Sequence, residues 1–228
     1  LPPKQLFKEL IRPTYTMFGL PLKYLLFFFA AKLTQSLSKP LPSDPLTLID
    51  TFVMPGYIER DRYYTGMLDV FSEEEKQRIW FVPHLYGFRM CKSLQVMIQL
   101  RESKNNFILK DDFLKFMDYW CLWKHLFRVR KLSIKPLFFC GVDISALVCE
   151  ELTGFRGISS TYTSLLNYRF AKRLKDAGVK LRLVIDWFEN LNVDKGWNAG
   201  FRFFFPDIPS IGYQGFTPVG FELNIYPT

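Results

Sequence analysis

A carboxylate, an amide and a lysine follow an apolar segment in the last quarter of this 228-residue chain. Glu189 and Asn190 come directly after residues 181–188, and Lys195 lies five positions further on. A carboxylate can remove a proton from a hydroxyl, and a lysine can stabilise a departing phosphate. We therefore predict Glu189 as a catalytic base, with Asn190 and Lys195 as substrate-binding groups. The alternative is that Glu189 caps the following helix, although Asp194 suits that role better.

Two other apolar segments end in polar side chains. Tyr213 and Gln214 are flanked by glycine on both sides, and His84 follows the apolar residues 79–82. Glycine lets the backbone approach a ligand closely, so Tyr213 and Gln214 are predicted to hydrogen-bond a substrate, although a plain tight turn explains the glycines equally well. His84 is either a catalytic or phosphate-binding imidazole or a hydrogen-bonded core histidine.

A guanidinium stands beside two aromatic rings near the end of the first apolar segment. Asp61 and Arg62 precede Tyr63 and Tyr64. The fixed fork of an arginine binds phosphate, and aromatic rings stack on sugars, so Asp61 and Arg62 are predicted to contact substrate. A structural Asp61–Arg62 pair is the other interpretation.

Bound cofactors and metals are not predicted. Neither GxGxxG nor GxxxxGK[ST] occurs, so the sequence contains no recognised loop that cradles a diphosphate. Nothing supports a metal site at His125, Asp50, Asp143 or Asp186.

The chain carries a formal net charge of +8 and 18% aromatic residues. Its densest basic patch lies among Trp120, Trp123 and Phe127, a combination that suits an anionic membrane surface or a phosphorylated substrate. A solvated helix face is the alternative, and nucleic-acid binding is not predicted because no recognised module is present. The patch comprises Lys124, Arg128, Arg130 and Lys131.

Alternating apolar segments and helical patterns must position these residues. Such alternation predicts a parallel sheet flanked by helices, in which ligands lie beyond the carboxyl ends of the strands. Ser72, followed by three glutamates, is predicted to begin a helix. The predicted strands are 46–53, 79–82, 181–188 and 210–216, and the main predicted helices are 85–102, 111–123, 159–177 and 194–205.

Residues 1–45 are predicted to be a basic, aromatic helical extension that ends in a proline-rich linker, with the α/β domain at 46–228. The extension either lies on lipid or packs on its own domain. Its longest apolar run, residues 24–31, is shorter than the roughly 20 residues that span a membrane, so no transmembrane helix is predicted. Four cysteines without CxxC spacing indicate reduced, buried thiols in a cytoplasmic protein.

Three short motifs carry a resemblance to a known family. They are Leu-Ile-Asp-Thr-Phe at 48–52 with Asp-Arg-Tyr-Tyr at 61–64, Ile-Asp-Trp-Phe-Glu-Asn at 185–190 with Asp-Lys at 194–195, and Ile-Gly-Tyr-Gln-Gly at 211–215. The chain thereby resembles glycosyltransferases of bacterial surface polysaccharide biosynthesis, the capsule and O-antigen type with two Rossmann-like domains (GT-B).

The resemblance implies transfer of a sugar from a nucleotide-activated donor to a saccharide or polyprenyl-linked acceptor. It also implies that this chain is the acceptor-side half, peripheral on the cytoplasmic face of the membrane, with the nucleotide-binding half following Thr228. Two alternatives remain open: a non-catalytic membrane-docking or assembly module, and a polyol-phosphate transferase.

Overall fold

Four parallel strands form the central sheet of the protein. A computed structural model describes residues 14–59, 64, 66–129, 131–132, 135–153, 157–189 and 191–214. The strands of this sheet are β1 (Leu46–Val53), β2 (Ile79–Leu85), β5 (Leu181–Trp187) and β6 (Ser210–Tyr213). Two further short strands are β3 (Phe138–Phe139) and β4 (Val142–Asp143). The main sheet has the order β2-β1-β5-β6 with every neighbouring pair parallel, whereas β3 and β4 form a separate antiparallel hairpin. The predicted Rossmann-like α/β fold is confirmed.

Helices surround this sheet and include an N-terminal helix. A π-helical turn at Tyr15–Gly19 leads into the first α-helix. The α-helices are α1 (Leu20–Leu33), α2 (Glu73–Arg78), α3 (Ser93–Glu102), α4 (Lys110–Phe113), α5 (Phe116–Trp123), α6 (His125–Val129), α7 (Ser145–Thr153), α8 (Ile158–Asp176) and α9 (Asn192–Phe204).

β1 has the bounds that its apolar run predicts, because it is the strand between β2 and β5 and is buried on both faces. The predicted cap of α2 is also confirmed: Ser72 Oγ accepts the Glu75 N–H, and the Glu75 carboxylate accepts the Ser72 N–H. β2 continues beyond the predicted residue 82 to Leu85, so His84 lies within a strand rather than after it.

Two helix predictions were too long. The helix predicted from residue 85 begins only at Ser93, because Gly87 adopts a φ of +76° that ends regular structure there. The helix predicted over 111–123 is divided into α4 and α5, since Leu114 and Lys115 have extended backbone conformations.

The N-terminal helix packs against the domain. Phe27, Phe28 and Ala31 are buried, and the Tyr24 hydroxyl is 2.8 Å from Thr163 Oγ1 on α8. The continuous helical segment Tyr15–Leu33 has 19 residues and is long and apolar enough to cross a membrane by length and composition alone. The apolar segment is therefore longer than the eight residues expected, because the helix accommodates both Pro21 and Lys23 in its first turn.

All four cysteines are free, but the prediction that they are buried is wrong. Cys91, Cys140 and Cys149 are exposed and Cys121 is half-buried. The apolar neighbours of Cys140 did not indicate a core position, because they belong to the exposed β3–β4 hairpin.

Helices α8 and α9 approach each other closely at two glycines. A Cβ atom at Gly196 would lie 2.0 Å from the carbonyl oxygen of Ser164, and one at Gly200 would lie 2.9 Å from Tyr168 Cα. Trp197 and Phe201 fill the core beside these glycines and are almost completely buried. Because glycine has no side chain at these two positions, α9 can approach α8 this closely.

We expect Gly196→Ala to destabilise the protein by about 3 kcal/mol, because the methyl group would overlap backbone that cannot move without shifting α8. Gly200→Ala should have a smaller effect, since its closest contacts are longer and alanine favours the helix by about 1 kcal/mol. Urea denaturation measures both. Arg202→Ala, at an exposed position on the same helix, is the control. Equal stability of Gly196→Ala and the parent protein would contradict this description of the packing.

Candidate functional site

Glu189 is held at the carboxyl end of β5 by its neighbouring tryptophan. Trp187 Nε1 donates a hydrogen bond of 2.7 Å to Glu189 Oε1. Trp187 is buried and Glu189 is half-buried, so the indole fixes a carboxylate that solvent or a ligand can still reach. This is the position that the sequence predicts for a catalytic base.

The capping role at this turn belongs to Asp194. Its Oδ2 accepts the backbone N–H groups of Glu189 and Leu191, each at 2.9 Å. Asp194 lies in the first turn of α9, where a carboxylate satisfies free N–H groups and complements the helix dipole. The alternative interpretation of Glu189 as the cap is therefore not supported, and its carboxylate has no such task.

Three aromatic rings form a wall beside Glu189, which we call the aromatic wall: Tyr64, Trp187 and Tyr213. Ring centroids are 5.9 Å apart for Tyr64 and Trp187, 5.2 Å for Tyr64 and Tyr213, and 5.4 Å for Trp187 and Tyr213. Tyr213 is 42% exposed, whereas the other two rings are buried. The wall thus offers one accessible ring on a rigid base.

A buried polar network lies next to the aromatic wall. Asp50, 1% exposed in the middle of the sheet, has Oδ1 2.6 Å from His84 Nε2. Lys110 Nζ lies 3.2 Å from His84 Nδ1 and donates to Asn167 Oδ1 at 2.8 Å. Asn167 in turn donates to the Val193 carbonyl on α9. The network therefore links β1, β2, α4, α8 and α9.

Burial decides the protonation of the two basic groups. Desolvation lowers the pKa of His84, a tendency that the negative charge of Asp50 opposes and the Lys110 ammonium reinforces. Burial likewise lowers the pKa of Lys110 to about 8. At neutral pH His84 is therefore neutral, with Nε2 2.6 Å from Asp50 Oδ1, and Lys110 Nζ lies 3.2 Å from Nδ1 and 3.4 Å from Nε2. This geometry corresponds to the hydrogen-bonded core histidine among the two interpretations of His84.

Asp186 on β5 is a second buried acid. It accepts a hydrogen bond of 2.6 Å from Asn198 Nδ2. Burial, followed by the charges of Asp50 and Asp194, raises its pKa to about 8. Oδ1 of Asp186 and Oδ2 of Asp50 have no hydrogen-bond partner among the residues that the structure describes.

The remaining predicted site residues are distributed between the edge of the sheet and the surface. Lys195 is exposed in the first turn of α9, shortly after Glu189 in sequence. Gln214 is exposed directly after Tyr213, the last residue of β6. Asn190, Asp61 and Arg62 lie outside the described residues. Of the basic patch, Lys124, Arg128 and Lys131 are exposed, whereas Arg130 is outside the described part of the chain.

Sequence reasoning did not find Lys110 or the pairing of Asp50 with His84. Lys110 lies in a short polar helix that looks like any surface turn, and Asp50 was considered only as a metal ligand. Within the described residues, no three His, Cys, Asp or Glu side chains form a group that would hold a metal ion. One signal was present, since a carboxylate inside the apolar run 46–53 requires a buried partner.

Comparisons of this chain with known protein families, with curated proteins and with solved structures found no match. The functional assignment of this edge therefore depends on its own geometry. That geometry combines a fixed carboxylate, an accessible aromatic ring and a helix N-terminus at the carboxyl ends of parallel strands.

We expect Asp186→Asn to remove part of the pH dependence of folding. The folded pKa of about 8 exceeds the ordinary value of 3.8, so the native state holds this proton more tightly than the unfolded state. The resulting stabilisation is complete below pH 4 and is lost as pH rises through 8, at up to about 1.4 kcal/mol per pH unit. Asparagine cannot ionise, so the variant should lose this slope.

The measurement is the free energy of unfolding in urea at pH 5, 6, 7 and 8. Asp207→Asn, which changes an exposed acid in the same way, should keep the pH dependence of the parent protein. An unchanged slope in Asp186→Asn would show that this carboxyl is not protonated in the folded state.

Proposed function

We propose that this chain is the acceptor-side domain of a glycosyltransferase of bacterial surface polysaccharide assembly. It would transfer a sugar from a nucleotide-activated donor to a saccharide or polyprenyl-linked acceptor at the cytoplasmic face of the membrane. The observation that carries the proposal is Glu189, which is oriented by Trp187 and relieved of the capping role by Asp194.

In the proposed reaction Glu189 takes the proton of the acceptor hydroxyl as that oxygen attacks the anomeric carbon of the donor. The bond from that carbon to the phosphate oxygen of the nucleotide breaks, and the nucleotide leaves. A general base must present a lone pair to the hydroxyl in a fixed direction. The hydrogen bond from Trp187 is made to Oε1, and the proposed proton transfer uses Oε2. Backbone N–H donation from Glu189 to Asp194 fixes the main chain from which the base projects.

The acceptor would bind along the exposed part of the aromatic wall. Sugar rings present C–H groups on their faces, which pack on aromatic rings, and hydroxyls at their edges. Tyr213 provides the accessible ring, and the adjacent Gln214 provides an amide that can both donate and accept hydrogen bonds. Asn190, Asp61 and Arg62, which lie outside the described residues, are proposed as further substrate-binding groups.

The donor phosphates carry negative charge and need positive or dipolar partners. Lys195 is exposed in the first turn of α9, beside the helix N-terminus. Both features favour an anion at this place. In the proposed two-domain architecture a second Rossmann-like domain holds the nucleotide, and Lys195 faces its phosphates during transfer.

The buried polar network serves a positioning role in this proposal. His84 is only 6% exposed and is too enclosed to meet an acceptor directly, and the half-buried Lys110 directs its ammonium toward His84 and Asn167. Lys110 offsets the negative charge of Asp50, and His84 contacts the Asp50 carboxylate. Asn167 joins Lys110 to α8 and α9. His84 is thereby assigned to the support of the site rather than to substrate binding.

A polyol-phosphate transferase would use the same groups, because its substrates are also an acceptor hydroxyl and an activated donor that carries phosphate. The nature of the donor separates the two reactions. A sugar transferase releases a nucleoside mono- or diphosphate and forms a glycosidic bond, whereas a polyol-phosphate transferase forms a phosphodiester.

We expect Glu189→Gln in the full-length protein to lower kcat by about 100-fold or more with little change in KM, because the amide cannot accept the proton. The assay follows nucleotide release from a panel of nucleotide sugars with membrane-derived acceptors. Glu102→Gln, at an exposed position at the end of α3, is the matched control and should retain full activity. Unchanged turnover by a correctly folded Glu189→Gln protein would refute the role of this residue.

A further inference from the structure

An apolar stripe runs along the solvent side of the N-terminal helix. Its members recur every three or four residues, so they lie on one face of the helix. Each is between 37% and 75% exposed. Large side chains in such a row rarely face water in a protein that has no partner at that surface. We call these residues the outer stripe: Tyr15, Phe18, Leu22, Leu26, Phe29 and Leu33.

The opposite face of the same helix belongs to the domain core. Phe27, Phe28 and Ala31 are buried there, Tyr24 bonds to α8, and Lys32 Nζ donates to the Asp112 carbonyl at 2.7 Å. These contacts fix the helix in place. The outer stripe is therefore a permanent surface of the folded domain.

A groove beside the outer stripe extends the apolar surface to α5. It has a volume of about 280 Å³ and an almost wholly apolar lining. Phe18 and Leu22 form one side, and Phe116 and Trp120 form the other. Phe116 and Trp120 are themselves 54% and 40% exposed, so stripe and groove make one continuous face.

The exposed charges described beside this face are basic. Lys124 Nζ lies 5.3 Å above the Trp120 ring, and Arg128 and Lys131 are exposed nearby in sequence. Residues 14–33 contain no Asp or Glu. The single acid within residues 115–129 is Asp118, which is buried and paired with Arg173 at 2.9 Å. Asp111, which accepts from the groove residue Tyr119, is half-buried. Within the described residues 14–33 and 115–129, an occupant of this face thus meets hydrocarbon and positive charge but no exposed carboxylate.

We propose that the outer stripe and the groove are the surface through which the protein docks on a bilayer that contains anionic lipids. The helix lies in the plane of the interface with the outer stripe among the acyl chains, and the groove receives hydrocarbon of a lipid. Trp120 lies at the level of the headgroups, where tryptophan is favoured, and Lys124 meets lipid phosphate. A spanning orientation would remove the contacts of Tyr24, Lys32 and the buried phenylalanines with the domain.

The test measures binding of the full-length protein to vesicles by co-sedimentation. Vesicles of phosphatidylcholine alone are compared with vesicles that also contain phosphatidylglycerol. We expect binding to the anionic vesicles, weaker binding as NaCl is raised, and release by alkaline carbonate. Phe29→Glu and Leu22→Glu should each reduce the partition coefficient by about tenfold or more, because a stripe side chain no longer enters the hydrocarbon.

Val70→Glu is the matched control, since it makes the same change in charge at an 81% exposed position on another element. It should bind as the parent protein does. Circular dichroism establishes that the variants fold. The proposal is overturned if the parent protein ignores anionic vesicles, if the stripe variants bind as well as Val70→Glu, or if the protein resists carbonate extraction as a spanning helix would. It is equally overturned if the stripe instead forms an interface between protein chains, seen as an oligomer without lipid that Phe29→Glu dissociates.

Discussion

A carboxylate buried in the central strand constrains the arrangement around it. Asp50 is almost fully enclosed, and an uncompensated charge at that depth would cost several kcal/mol. His84 from β2 and Lys110 from α4 supply the compensation, and Asn167 ties Lys110 to α8. The positions of β1, β2, α4 and α8 relative to one another are therefore coupled through one charge, in addition to the apolar packing of the core.

The same strand also anchors the proposed site. The Tyr64 hydroxyl donates to the backbone carbonyl of Asp50 at 3.0 Å, and the Tyr64 ring packs on Trp187 and Tyr213. Trp187 then orients Glu189. The proposed base is thus joined to the buried charge by a chain of contacts from the middle of the sheet to its edge. The contact that completes this chain is made to the backbone of Asp50, which also carries the carboxylate of the polar network.

Part of this structure can be predicted from local sequence patterns, and part of it cannot. The bounds of β1 and the helices after residue 157 follow from apolar periodicity, and the cap at Ser72 follows from its neighbours. The break between α4 and α5 does not, because Leu114 and Lys115 carry no helix-breaking residue type. Long-range polar pairs are equally hidden, as His84 and Lys110 are 26 positions apart. Glu189 was identified from sequence because strand ends concentrate polar groups, and its catalytic role stays a prediction.

Because α8 and α9 pack closely together, the proposed base is attached to a rigid part of the domain. Gly196 brings the two helices into backbone contact, while Asp194 on α9 holds the amide of Glu189. Glu189 therefore moves with a rigid helix pair, although it stands in a connection between a strand and a helix. If two domains close around a substrate, this carboxylate moves together with the helix pair as a rigid body. Its position then does not adjust to individual acceptors. Discrimination among acceptors would then have to come from other parts of the site, which could change without disturbing the base.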